Sequence, residues 1–382
     1  MMLDIAFWGS VALVLYAYLG YPCMLMALSL VNNRPVRRGH ATPAVSFIIT
    51  AHNEEARIAE KIENTLAQDY PAPALEILVA SDCSTDSTDD VVRSYAPRVH
   101  LIRAPERRGK EAAQQLAVHA ASGDVLVFSD VATALARDGV STIVENFSDP
   151  TVGCVSSIDR FVDADGRLSG EGAYVRYEMF LRTLETRVHT LVGLSGSFFA
   201  ARRRVCRNWA IDRQSDFNTL LNTVDQGLRG VLDPLSAGYY RPITDHRREL
   251  QRKVRTVVRG IGVLAANVRM LNPLRYGLFA WQLASHKVCR WLVPFAMMIA
   301  LASNVLLAAQ SVWYAAALGV QVGFYAAVAG GWIGSRTLRI PYFFFLANLA
   351  ILMAWFRYAR GERMVAWNPS ERTTALPQIS VR

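Results

Sequence analysis

Residues 45–130 restrict the fold more than any other part of the chain. Val45–Thr50 (VSFIIT) and Val125–Ser129 (VLVFS) are unbroken apolar runs, the pattern of parallel strands covered on both faces. Between them, Glu54–Gln68 sets Ile58, Ile62 and Leu66 on one helical stripe. A strand at Leu75–Ser81, a helix at Asp86–Tyr95, a strand at Val99–Arg103 and an alanine-rich helix at Lys110–Ala121 complete the series. Acidic residues in the first turn at Asp86 suit the positive end of a helix dipole. The alternation predicts an α/β fold with a doubly wound, mostly parallel sheet. Asp82 and Asp130 end two of its strands, on the edge where open α/β sheets bind ligands. The chain has no G-x-G-x-x-G and no Walker loop. A nucleotide here is expected to have its phosphates met through a metal ion instead of a glycine cradle.

The second half is less regular. Thr151–Ser157 reads as a strand and Tyr174–His189 as an amphipathic helix. Gly193–Arg203 is a glycine loop entering a short strand, and Asp216–Gly227 is helical. Glu249–Leu271 alternates basic and apolar residues, as a helix lying on a membrane surface does.

At 382 residues and 52% hydrophobic content, the chain holds one large domain plus membrane segments. Ile5–Val31 is long enough to span a bilayer, which takes ~20 residues. Arg34, Arg37 and Arg38 come directly after it. An uncleaved anchor with its N-terminus outside is therefore expected, with the domain beyond it in the cytoplasm. Trp291–Gln310 and Val312–Ile333 are clear spans. Ile340–Trp355 is shorter and opens with Pro341. A third C-terminal crossing would carry the basic stretch Arg357–Arg363 outside, so a re-entrant or interfacial position is favoured for Ile340–Trp355 over a span. The expected layout is an anchor over 1–31, a catalytic domain over 45–246, interfacial helices over 247–275, a membrane region over 286–357 and a basic tail over 358–382. The net charge of +9 sits beside the apolar segments, at Arg247, Arg248, Arg252, Lys253, Arg255 and Arg259 among others. That placement fits an anionic leaflet and argues against nucleic acid as a partner. The five cysteines form no C-x-x-C pair and receive no chemistry.

With these residues in view, the chain resembles the membrane-anchored bacterial family 2 glycosyltransferases of GT-A, Rossmann-like fold. Ala51-His52-Asn53-Glu54-Glu55 is similar to the family's first nucleotide motif. Ser81-Asp82-Cys83-Ser84-Thr85-Asp86 is similar to its uridine-side acidic motif, and Arg108-Gly109-Lys110 to a third. Phe128-Ser129-Asp130 matches the strand before the metal motif, and Gly193-Leu194-Ser195-Gly196 the acceptor-side loop. Two departures stand out. Asp130-Val131-Ala132 lacks the second ligand of D-x-D, so a Mg²⁺ or Mn²⁺ ion rests on Asp130, the pyrophosphate and water, or has been lost. Glu249–Arg255 (ELQRKVR) lacks the tryptophan of the processive Q-x-x-R-W motif.

The resemblance implies a nucleotide-sugar site, with a UDP-sugar as the expected donor, at Ala51, His52, Glu54, Asp82, Lys110, Ser129, Asp130, Gly196, Arg252 and Arg255. It implies Asp130 as metal carboxylate and Asp216 as the general base that takes the acceptor's proton in an inverting displacement. Each residue also has a plainer reading: Asp82 and Asp216 as helix caps, Glu54 as dipole compensation, His52 as a surface histidine, and Lys110 with Arg108 as a solvated charge run. The implied activity is non-processive transfer to a lipid-linked or membrane-proximal glycan acceptor at the bacterial inner membrane, in polysaccharide or envelope biosynthesis. A processive synthase and a non-catalytic nucleotide-binding protein are the alternatives.

Overall fold

A computed structural model describes residues 1–162, 173–241, 245–333, 338–363 and 376. The chain opens with a long helix, α1 (Met2–Val31), interrupted by a π-helical turn at Tyr16–Gly20. The domain then runs β1 (Val45–Ala51), α2 (Ile58–Leu66), β2 (Leu75–Ser81), α3 (Thr88–Arg93), β3 (His100–Arg103), α4 (Lys110–Ala120), β4 (Val125–Asp130), β5 (Ala134–Leu135) and α5 (Gly139–Glu145). It continues with β6 (Val152–Phe161), α6 (Ala173–Val188), β7 (Phe198–Arg202), α7 (Ser215–Asp225), β8 (Arg229–Tyr240) and α8 (His246–Ala266). Three more long helices complete the chain: α9 (Leu278–Leu307), α10 (Val312–Trp332) and α11 (Arg339–Ala359).

The strands form one eight-stranded sheet in the order β3-β2-β1-β4-β7-β6-β8-β5. The first four pair parallel, as the sequence predicts. Beyond β4 the sheet is mixed, because β7 runs antiparallel to both β4 and β6 while β6 and β8 are parallel. Successive side chains of a strand point to opposite faces. Phe47, Ile49 and Val127 therefore meet Ile58, Ile62, Val140 and Ile143 on one side. Ile48, Leu126 and Phe128 meet Ala113, Ala117, Phe199 and Trp209 on the other. Both faces are covered, which is why these strands read as continuous apolar runs.

Three elements are not visible in the sequence pattern, among them β5, which has only two residues. Helix α5 is seven residues long, too short to show a period. Strand β8 contains Pro234, which cannot donate to a ladder. The β6–β8 register shifts where Leu232 pairs Ser156 and Ala237 pairs Ile158, so the proline lies in the irregularity.

By length and composition α1, α9, α10 and α11 are all able to cross a membrane. Helix α9 starts well before the predicted Trp291, and α11 is longer than the predicted Ile340–Trp355. Helix α11 packs on α1, α9 and α10, with Phe324 edge-on against Phe344 on the α10 side. Phe344 packs edge-on against Tyr18 at 4.9 Å, and Trp355 donates its indole N–H to the Trp291 carbonyl at 2.9 Å. Arg290, beside Trp291, lies 5.2 Å over Tyr18. The far half of α11 packs on α8, with Ala350 and Ala354 against Val254 and Val258. Most of the expected basic tail, and Arg336, lie outside the described residues.

Candidate active site

The parallel registers bring three loops to one edge. Ala51 pairs Ser81 and Thr50 pairs Asp130, so β1, β2 and β4 end together. Strand order turns outward on both sides of β1 and β4, the switch point at which α/β sheets leave a crevice. The loops after β1 and β2 both carry a residue of positive φ, Asn53 at 52° and Cys83 at 53°. Such backbone is uncommon outside glycine and clusters at ligand sites.

The first acidic motif turns inward. Asp82 is fully buried; its Oδ1 accepts the Arg108 and Gly109 N–H at 3.0 and 3.1 Å, and its Oδ2 accepts Gly109 again at 3.0 Å. It pins the loop that starts α4, and Gly109 there has φ 98°, a conformation glycine adopts without strain. The Asp82 N–H donates to the Ala51 carbonyl, and a His52 ring nitrogen contacts the Asp82 carbonyl at 2.8 Å. His52 is therefore buried, neither a surface residue nor an open stacking platform. Glu54 is buried against Arg57, whose Nη2 lies 2.5 Å from Oε2. Burial raises its carboxyl above the ordinary range, and Arg57 opposes the rise.

Lys110 links the end of β4 to the Gly193–Gly196 loop. Its ammonium donates to Asp130 Oδ1 at 2.5 Å and to the Gly196 carbonyl at 3.2 Å. Ser129 faces away from the cleft, where its Oγ accepts from Lys61 at 2.8 Å. Lys61 also donates to the Thr133 carbonyl at 2.6 Å, and complete burial pushes its ammonium down to about 7. Lys61 is not among the residues expected from the sequence, although its place three residues after Ile58 puts it on the apolar stripe of α2.

Asp216 sits in the first turn of α7, with Gln214 as N-cap. Its Oδ1 accepts the Phe217 N–H at 2.7 Å and its Oδ2 accepts from Gln214 Nε2 at 3.0 Å. Burial pushes its carboxyl up, against the lowering from the Phe217 amide and Lys110. A Cβ on Gly196 would lie 2.8 Å from Asp216 Oδ2, so only glycine lets the loop lie this close. Asp216, Gly196, Lys110 and Asp130 thus form one continuous set. Glu111, also unremarked in the sequence, is buried beside them, where it pairs with Arg259 and accepts the Ser215 N–H.

Helix α8 contributes the two remaining arginines of the implied site, while Arg108, Asp225 and Trp209 lie apart from it. Arg252 is held by Glu249 at 2.8 Å, one turn away on α8. Arg255 faces Asp130 and Glu111 from the same helix and is crowded by Arg252 and Arg259. Arg108 is exposed. Asp225 pairs with Arg269 and Tyr276 at the surface. Trp209 is in the core, stacked on Phe128 at 4.9 Å.

For a divalent ion the protein supplies little. Asp130 is the one carboxylate at the expected place, Ala132 offers no donor, and no trio of His, Cys, Asp or Glu is grouped for a metal among the described residues. That set fits an ion carried by Asp130, substrate phosphate and water, as Mg²⁺ sites often are. It does not fit a closed protein cage.

Comparison with known proteins accords with the fold. The profile of glycosyl transferase family 2 matches residues 46–209. An N-acetylglucosaminyltransferase of Bradyrhizobium elkanii is 33% identical over 130 residues, which cover 33% of this chain and 71% of that protein. The chain belongs to glycosyl transferase family 2. This glycosyltransferase is also 30% identical over 128 residues to the succinoglycan biosynthesis protein ExoO of Rhizobium meliloti, covering 33% of this chain and 36% of that one. An N-acetylglucosaminyltransferase of Sinorhizobium fredii is 31% identical over 156 residues, 38% of each chain. The match to these two relatives spans little more than a third of their length. A solved mannosyltransferase of Pyrobaculum calidifontis, in complex with GDP-mannose and Mn²⁺, superposes with a TM-score of 0.74 at 22% identity, covering 95% of this chain and all of that one. It shares the GT-A-like fold.

Proposed function

We propose that this enzyme moves a sugar from a nucleotide-sugar to a lipid-linked or membrane-proximal glycan acceptor, with inversion at the anomeric carbon. The observation that carries the reading is the buried Asp216 carboxylate against Gly196, whose carbonyl and the Asp130 carboxylate share the Lys110 ammonium. The acceptor hydroxyl gives its proton to Asp216 Oδ2 while its oxygen bonds to the anomeric carbon. The bond from that carbon to the diphosphate oxygen breaks on the opposite face, and the electron pair leaves with the diphosphate. Lys110 and Arg255 neutralise the charge that develops there. Asp130 would hold a Mg²⁺ or Mn²⁺ ion, which would counter the same charge when bound. Asp82, His52 and Ser129 act behind the surface by fixing the loops, and Glu54 with Arg57 closes the nucleoside end.

The membrane arrangement rests on charge and contacts. Helices α1, α9 and α10 cross, α11 lies along the catalytic side, and Arg357, Arg360 and Arg363 stay with the catalytic domain in the cytoplasm of a bacterial cell. The acidic motif favours a UDP-sugar; the structural neighbour's GDP-mannose makes GDP-sugars the necessary comparison.

The test is nucleotide release by the detergent-purified chain from UDP- and GDP-sugar panels with Mg²⁺ or Mn²⁺ and membrane lipid extract. The anomeric configuration of the product is read by NMR. Release with one UDP-sugar and an inverted product is expected. A retained configuration, or nucleotide binding without turnover on any donor, would overturn the mechanism.

A further inference from the structure

Where the catalytic domain meets the membrane helices, Lys287 lacks a direct partner. Helix α6 presents Glu178 and Glu185 to α9, and both are answered. Arg290 donates to Glu178 at 2.7 Å, His286 contacts Glu185 at 2.5 Å, and the Tyr21 hydroxyl donates to the same Glu185 oxygen at 2.8 Å. Lys287 faces both carboxylates only at longer range. Among the described residues its ammonium has no hydrogen bond or ion pair, and it rests 5.4 Å from the Phe217 ring centre.

Its position is built by the π-helical turn Ala284–Cys289 of α9. That turn aims Ser285 at Tyr16, His286 at Glu185, and Lys287 at the acceptor-side loop. Such turns inside α-helices recur at functional sites. A Cβ on Gly193 would lie 3.5 Å from Lys287 Nζ. Lys287 therefore stands over the first glycine of the loop whose last, Gly196, abuts Asp216. The two ends are at most about 10 Å apart, comparable to one sugar unit and its phosphate. Lys110 lies on Asp130 and the Gly196 carbonyl and Arg255 faces Asp130, whereas Lys287 lies at Gly193, so it is a second, separate cation. A half-buried ammonium with no direct ion pair is costly, and its helix belongs to the membrane bundle.

We propose that Lys287 binds the diphosphate of a lipid-diphosphate-linked sugar that enters from the bilayer, with the sugar hydroxyl reaching Asp216. This rests on the lipid-linked reading above. The test is binding, independent of turnover. The full chain is placed in phosphatidylcholine nanodiscs doped with a long-chain polyprenyl diphosphate, and retained lipid is measured by native mass spectrometry, with nucleotide affinity as the control for folding. Losing a charge-assisted contact predicts about tenfold weaker lipid binding in Lys287→Met, partial recovery in Lys287→Arg, and no difference between the variants with uncharged polyprenol. Equal affinity of wild type and Lys287→Met overturns the role of Lys287 alone. Failure of the wild type to bind polyprenyl diphosphate overturns the lipid-linked reading with it. Phosphatidylglycerol competing as well as the diphosphate lipid assigns the site to bulk headgroups and overturns the proposal.

Discussion

At the residue scale, the proposed chemistry centres on Asp216 and the two lysines near Asp130. Asp216 has its carboxyl raised by burial, so its folded state favours the neutral form. As a base it works only when ionised, so the acid limb of kcat/KM against pH should lie above the range of a free aspartate. The same shift has a stability cost, which appears as pH rises above the ordinary aspartate range and is complete above the folded value. Asp216→Asn should therefore melt higher than wild type at neutral pH; a lower melting temperature would contradict burial as the cause. Lys61 is a base buried where it would rather be neutral. Its folded value of about 7 lies below the unfolded 10.5, so the unfolded chain binds the extra proton between them and wild-type stability should climb from pH 7 towards 10. Lys61→Met should flatten that climb in thermal unfolding; an unchanged slope would mean the lysine stays charged in the fold. Asp216 and Asp130 were legible in the sequence because each ends or begins an element in a recognisable order. Lys61 and Glu111 were not, because a stripe read from apolar residues alone passes over the charged side chains it buries.

At the scale of elements, close backbone approaches carry the geometry. A Cβ on Gly123 would lie 2.4 Å from the Ser46 backbone nitrogen at the start of β1, where no side chain can yield. Gly123→Ala should cost about 1–3 kcal/mol, the usual range for overpacking a filled site, and a chemical-denaturation midpoint equal to wild type would show that the β1 entry can shift. Gly196→Ala is the local counterpart. It should leave the fold in place and lower transfer at least about tenfold, because the new Cβ pushes Asp216 from its position. The first four strands were legible because parallel strands buried on both faces advertise themselves as apolar runs. Strand β8 was hidden by Pro234, whose cost the β6–β8 irregularity absorbs, and α5 by its length.

At the scale of the whole molecule, the catalytic edge and the membrane helices share one seam, and α11 decides on which side the C-terminal residues lie. Hydropathy alone could not settle α11, since its length and mean hydropathy equal those of α10; the basic residues Arg357, Arg360 and Arg363 argue for keeping its end on the cytoplasmic side. In a cysteine-free background, Gly361→Cys should share the protection of Arg93→Cys from an impermeant thiol reagent applied outside, while Ser311→Cys reacts. Labelling of Gly361→Cys from outside would make α11 a fourth crossing. The set joined by Lys110 and Gly196 is held to transfer a sugar with Asp216 as base. Its most direct test is the rate of transfer by Asp216→Asn beside wild type, with donor affinity measured on the same preparations. A loss of about 10²–10⁴ in kcat, the range for a general base, with donor Kd unchanged, is the predicted result. Transfer within a few-fold of wild type would contradict it.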